Sequence, residues 1–152
     1  MKLTPSQVKN LMRRGLRLLV DPEPEATDRT RCIDFFGEAC AYCWEPVPKG
    51  EGDLDHLLSA ARGGRNHISN RVFSCKPCNA ELKRDKDWEA FLAERYGAGT
   101  TYEARRSKIL QWVAEAGNEP PLPEAMLSLL KEMEHAATSA YDAACKKVLG
   151  VR

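Results

Sequence analysis

Four of the six cysteines stand in two Cys-x2-Cys units, Cys40-Ala-Tyr-Cys43 and Cys75-Lys-Pro-Cys78. Each unit can set two thiolates on one face of a tetrahedral ion, and two units complete a four-sulfur shell around zinc. Such a closed shell leaves no position for water, so its role is structural. Zinc bound this way contributes about 10–16 kcal/mol in small peptides, energy that a segment poor in apolar residues needs. Cys32 and Cys145 are left over and are expected as buried or free thiols. A second set of groups lies between and just after the pairs: Asp55-His56, Gly63-Gly64, Asn70, and Asn79 directly after Cys78. An imidazole with a pKa of about 6.5 can take up a proton near neutrality. The oxygens of Asp55 and Asn79 suit a hard cation, Mg2+ or Mn2+, rather than the thiolate-bound zinc. Taken singly, each residue also has a plainer role: Asp55 capping a turn, Asn70 in a turn, Asn79 at a helix start.

Taken together, the run from Asp55-His56 through Gly63-Gly64 and Asn70 to Cys75-Lys-Pro-Cys78-Asn79 resembles the HNH endonuclease family. The resemblance covers roughly residues 38–86 and implies a ββα-metal fold, a hairpin and a helix around one divalent metal. It implies that His56 is the general base that activates water, that Asp55 and Asn79 are ligands of a catalytic Mg2+ or Mn2+, and that Asn70 fixes the loop and helps orient His56. With Asn79 in the last motif position this is an H-N-N variant. Phosphodiester cleavage needs these types: a base for water, and a cation for the charge developing on phosphate and leaving oxygen. Arg62, Arg65 and Lys83 are spare cations expected to contact DNA phosphates. The sequence departs from the family at Ser59, where proline is common, at Ala61, and in the spacing of Lys83. His67 is expected as a surface-loop residue and His135 as a structural one in the last helix.

The positioning elements follow from periodicity. Thr4 caps a first helix with Pro5 at its first position and Gln7 completing a capping box. Val8, Leu11, Met12, Leu16 and Leu19 form its apolar stripe, and Asp21-Pro22-Glu23-Pro24 ends it. A second short helix is predicted over residues 27–36. Strands are predicted over 54–58 and 71–74, joined through Gly63-Gly64, with a helix starting near Lys76 or Pro77. Further helices follow around Trp88–Tyr96, over Tyr102–Ala116, and from Pro123 to Leu149. In the last, Met126, Leu130, Met133, Ala137, Tyr141, Ala144 and Val148 recur at steps of three and four, a stripe that must pack on the chain or on a second copy. The predicted class is α+β, a small zinc-stapled ββα core flanked by helical segments, divided as 1–37, 38–86 and 87–152.

Composition narrows the function classes. The net charge of +1 conceals segregation: no acids in residues 1–20, ten acids against three bases in 21–60, and seven bases against two acids in 62–86. The basic segments are able to meet phosphates, though a charge run is commonly just a solvated face. No apolar run reaches the ~18 residues of a membrane span, and the first residues lack a signal-peptide stretch. A cytoplasmic location with no membrane partner is expected. The leading reading is a metal-dependent endonuclease acting on double-stranded or branched DNA. A non-catalytic zinc knuckle that holds nucleic acid is the alternative, and a homodimer through the last helix is compatible with either.

Overall fold

The computed structural model describes residues 3–117, 119–120 and 122–150. The chain divides into two compact units, residues 1–22 with 121–152, and residues 23–120.

The first unit pairs helix α1 (Pro5–Val20) with the long helix α5 (Glu124–Leu149). Thr4 Oγ1 accepts from the Gln7 amide at 3.3 Å, and Gln7 Oε1 accepts from the Thr4 amide at 2.8 Å, so the expected capping box forms. Ion pairs Lys9–Asp142 (3.1 Å) and Arg17–Glu134 (3.2 Å) set the helices antiparallel. The predicted stripe of α5 thus finds a neighbour within the chain. Both stripes prove narrower than expected. Leu11 and Leu19 of α1 are exposed, as are Met133 and Val148 of α5. A helix with one packing partner in its unit buries a strip around Leu130 and Thr138 and leaves the flanks of its apolar face in water. His135 is also exposed.

The second unit contains α2 (Ala26–Phe35), the strands β1 (Gly52–His56) and β2 (Arg71–Cys75), a π-helical segment (Pro77–Lys83), α3 (Trp88–Tyr96) and α4 (Thr100–Ala116). β1 and β2 pair antiparallel, with Leu54 opposite Phe73 and Asp55 opposite Val72. The first strand starts and ends two residues earlier than predicted. Arg71 to Ser74 are all buried, because α2 packs on β2 and α4 on the turn that precedes it. Trp112 of α4 is wholly buried and donates its indole N–H to the Arg71 carbonyl at 2.7 Å. Phe35 and Phe36 lie against its ring. The predicted segment boundary at residue 37 therefore falls inside this unit, since Cys32 and Phe36 belong to its core. Cys32 stays a neutral thiol, burial pushing it up to about 12.

The helix after β2 is wound more widely than predicted. Pro77 supplies its first turn without needing an amide partner, and the Arg84 amide bonds back five residues to the Asn79 carbonyl at 3.0 Å. Arg84, with φ of 53°, closes it. Such wide turns occur disproportionately at functional sites.

Candidate active site and metal centre

The cysteine centre is assembled from two tight turns. Trp44 N–H donates to the Cys40 carbonyl at 2.8 Å, and Cys40 N–H to the Glu45 carbonyl at 2.9 Å, folding Cys40 and Cys43 onto one side. Cys75 ends β2 and Cys78 lies in the π-helical turn. The four sulfurs lie within 4.8 Å of one another, with Cys43 and Cys75 at 3.9 Å. Zinc–sulfur bonds of about 2.3 Å imply sulfur–sulfur edges near 3.8 Å, so the residues fit a tetrahedral thiophilic ion. Their electrostatics point the same way. A hydrogen bond from Cys78 draws Cys40 down to about 5, whereas burial pushes Cys43 up to about 11, and its bond to Cys40 pushes Cys78 up. Four thiolates this close need a bound cation to ionise together. Arg95 places a guanidinium nitrogen 3.5 Å from Cys78 Sγ. Arg105 donates to the carbonyls of Tyr42 (2.7 Å) and Cys43 (3.1 Å) while its guanidinium stacks on Trp44 and Tyr96.

The end of β1 carries the second set of groups. Asp55 is buried, and its Oδ2 accepts the Tyr42 hydroxyl at 2.7 Å and lies 3.1 Å from Lys83 Nζ. Burial pushes the Asp55 carboxyl up, while the Lys83 ammonium and the Tyr42 hydroxyl pull it back. His56 is half-buried, with Nε2 at 3.0 Å from Asn66 Oδ1. That oxygen also accepts from Arg71, so it acts as an acceptor. His56 Nε2 therefore carries the proton and Nδ1 the lone pair. Burial, then the Arg71 charge, hold the imidazole below its ordinary pKa. His56 is thus neutral at pH 7 and basic at Nδ1.

Asn70 locks the loop between the strands from both ends of its amide. Its Oδ1 accepts from the Leu58 amide at 2.9 Å; its Nδ2 donates to the carbonyls of Leu58 (2.9 Å) and Arg65 (2.8 Å). Gly63, at φ 89°, turns the chain in the left-handed region. Gly64 answers a different need: a Cβ there would lie 1.7 Å from the Leu58 carbonyl oxygen and 2.9 Å from Asn70 Nδ2. The two glycines and Asn70 form one device that returns the chain from His56 to β2.

Residues 40–91 match the HNH endonuclease family model. The match covers about a third of the chain and takes in both Cys-x2-Cys units, the hairpin, the loop and the π-helical turn. A 93-residue stretch is also 28% identical to Protein prickle of Anopheles gambiae, covering 60% of this chain. The chain spans only 8% of that protein's length.

Within the HNH-matched segment the sequence-predicted residues are not all placed alike. Asp55 and His56 sit side by side on the β1 end, and Asn70 locks the loop beside them. Asn79 lies half-buried on the π-helical turn. Lys83 differs from its expected role as a phosphate contact. Its side chain is fully buried, donating to the His56 carbonyl at 2.7 Å beside its ion pair with Asp55. The wide turn directs its ammonium inward. Arg65 is largely committed, pairing with Glu119 at 3.0 Å and donating to the Pro120 carbonyl at 2.7 Å. Arg62 is exposed. His67 starts the 3-10 turn before Asn70, where its Nδ1 accepts from the Ser69 amide.

Sequence reasoning missed Tyr42, Asn66 and Arg71. Tyr42 was visible as the one large residue inside the first cysteine unit. Asn66 follows Gly63-Gly64 by two residues, but nothing in one sequence marks which of two nearby asparagines meets the histidine.

Proposed function

We propose that this chain is a metal-dependent DNA endonuclease of the HNH type, hydrolysing phosphodiester bonds with His56 as general base. The observation that carries the reading is the state of His56. Its Nε2 is engaged by Asn66, which leaves Nδ1 as the basic atom of the residue that follows Asp55 at the end of β1. Nδ1 takes the proton of the attacking water as its oxygen bonds to phosphorus. The bond to the 3′ oxygen then breaks, its electron pair staying on that oxygen, which takes a proton from solvent water, leaving a 5′-phosphate and a 3′-hydroxyl. Asn70 keeps the loop in register so that Asn66 holds the imidazole in this tautomer. Asp55 and Asn79 would hold Mg2+ or Mn2+, which supplies charge stabilisation for the phosphate and the leaving oxygen. Zinc on Cys40, Cys43, Cys75 and Cys78 would serve structure alone. Double-stranded or branched DNA is the substrate, with exposed Arg62 available to the backbone.

The test uses supercoiled plasmid and a branched-junction panel, with EDTA, Mg2+ or Mn2+, and His56→Ala in parallel. Metal-dependent cutting that falls roughly 10²–10⁴-fold in the variant, the usual range for a general base, is expected. Equal cutting by both proteins excludes His56 as the base.

One observation favours a second reading, a zinc knuckle that binds nucleic acid without cutting it. The Asp55 carboxylate is already buried against an ammonium, an arrangement that a purely structural ion pair also produces. Under that reading folded, zinc-loaded protein binds DNA, cuts no member of the panel, and is indifferent to His56→Ala.

A further inference from the structure

Tyr42 connects the two halves of the HNH-matched segment. It lies between Cys40 and Cys43, is wholly buried, and packs edge-on against Phe91 at 5.3 Å. Its carbonyl is held on the other side by Arg105 Nε (2.7 Å) and the Tyr96 hydroxyl (3.0 Å). Backbone and ring are thus fixed by the cysteine knuckle and by α3 and α4. The hydroxyl reaches across to Asp55 Oδ2 at 2.7 Å. Burial and the adjacent carboxylate keep that hydroxyl protonated, so it donates. Lys83 approaches the same oxygen at 3.1 Å. Both contacts fall on Oδ2, and this has a geometric consequence. The side-chain contacts pin the carboxylate plane through one oxygen, and the His56 amide holds the carboxylate from the backbone.

We propose that Tyr42 is a positioning residue that ties the cysteine centre to the Asp55 carboxylate, so that the zinc knuckle sets the orientation of a ligand of the second metal. The proposal rests on the nuclease reading of Asp55. Partners of this kind, which orient a metal ligand without touching the metal, typically change metal affinity or activity 10–100-fold when removed. Tyr42→Phe removes one oxygen and keeps the ring in its pocket.

The experiment titrates Mn2+ into zinc-loaded wild type, Tyr42→Phe and Asp55→Asn by calorimetry, with zinc content measured on each. Zinc is expected to remain at wild-type level in Tyr42→Phe, with Mn2+ affinity about 10–100-fold weaker and cleavage shifted to higher Mn2+. A residue that merely fills space would lower the melting temperature without moving the Mn2+ isotherm. Loss of Mn2+ binding in Asp55→Asn with an unchanged Tyr42→Phe isotherm overturns the link and leaves the nuclease reading standing. Mn2+ binding unchanged in Asp55→Asn removes Asp55 as a ligand, and the proposal with it. Should Tyr42→Phe not accumulate as folded protein, Arg105→Gln loosens the same residue from its carbonyl side. A weaker Mn2+ isotherm is expected there too, and an unchanged one overturns the link.

Discussion

The two ends of the hairpin solve opposite problems with neighbouring residues. At the Cys75 end of β2, four sulfurs converge within 4.8 Å, Arg95 facing Cys78, and need a bound cation to ionise together. At the His56 end of β1, the side-chain contacts fall on one atom of each group: on Oδ2 of Asp55 and on Nε2 of His56. The first end is complete once an ion is bound. The second is held rigid by side-chain bonds that fall on one atom of each residue. A closed ligand set makes structure; a one-sided set permits chemistry, because an external water or cation can enter without breaking what holds the site.

The sharpest way to break this contrast is to empty the first end. Zinc stripped by a strong chelator should unfold residues 23–120, since structural zinc of this kind supplies about 10–16 kcal/mol, as much as a typical domain's whole net stability. Circular dichroism and amide exchange with and without chelator read this directly. Persistence of native exchange protection in β1 and β2 would mean that the aromatic core around Trp112 suffices without metal.

A smaller effect is expected at the loop. Gly64→Ala forces the chain away from the Leu58 carbonyl and disturbs Asn70, at a cost of about 2–3 kcal/mol, the upper part of the common range for strained sites. It should lower the melting temperature and cleavage together, zinc content remaining at one per chain. Wild-type cleavage in this variant would show that the Asn70 lock is not needed to aim His56.

The smallest effect is a displacement along the pH axis. Because His56 titrates below its ordinary value, kcat/KM should be level around pH 7 and fall only as pH drops through a midpoint below about 6.5. The sign for stability agrees. Below the ordinary histidine pKa the unfolded chain binds this proton more readily than the folded one, so the His56 contribution weakens as pH falls through that window. An acid limb centred above 7 would mean that His56 gains its proton more easily than its buried setting allows.

Much of this was legible in the sequence for identifiable reasons. Cys-x2-Cys spacing is a local geometric constraint, and so is the Thr4-to-Gln7 capping box; both are written within four residues. The hairpin register was nearly so, because Gly63-Gly64 and Asn70 define the return. What was not legible depends on contacts distant in the chain. Lys83 reads as one more surface cation until a widely wound turn points it at Asp55, 28 positions earlier. The tautomer of His56 is set by an asparagine whose own acceptor is identified by Arg71. The outer parts of the α1 and α5 stripes read as core, and only the number of neighbours within their unit decides which residues stay wet. Nothing in the spacing marks Tyr42, whose hydroxyl gains its role from a strand 13 residues away.

The guanidinium of Arg105, stacked between Trp44 and Tyr96, bears on modularity. It belongs to α4, beyond the last residue of the HNH-matched stretch, yet it holds the carbonyls of the first cysteine turn. Arg95, also beyond that stretch, faces Cys78. A fragment cut at the borders of sequence similarity would carry all four clustered thiols and leave behind Arg95, which faces Cys78, and Arg105, which holds the first cysteine turn. The heritable part here is larger than the recognisable one: grafting or shuffling this module at residues 40–91 would transplant its ligands without their support, whereas a cut at residues 23 and 120 keeps both.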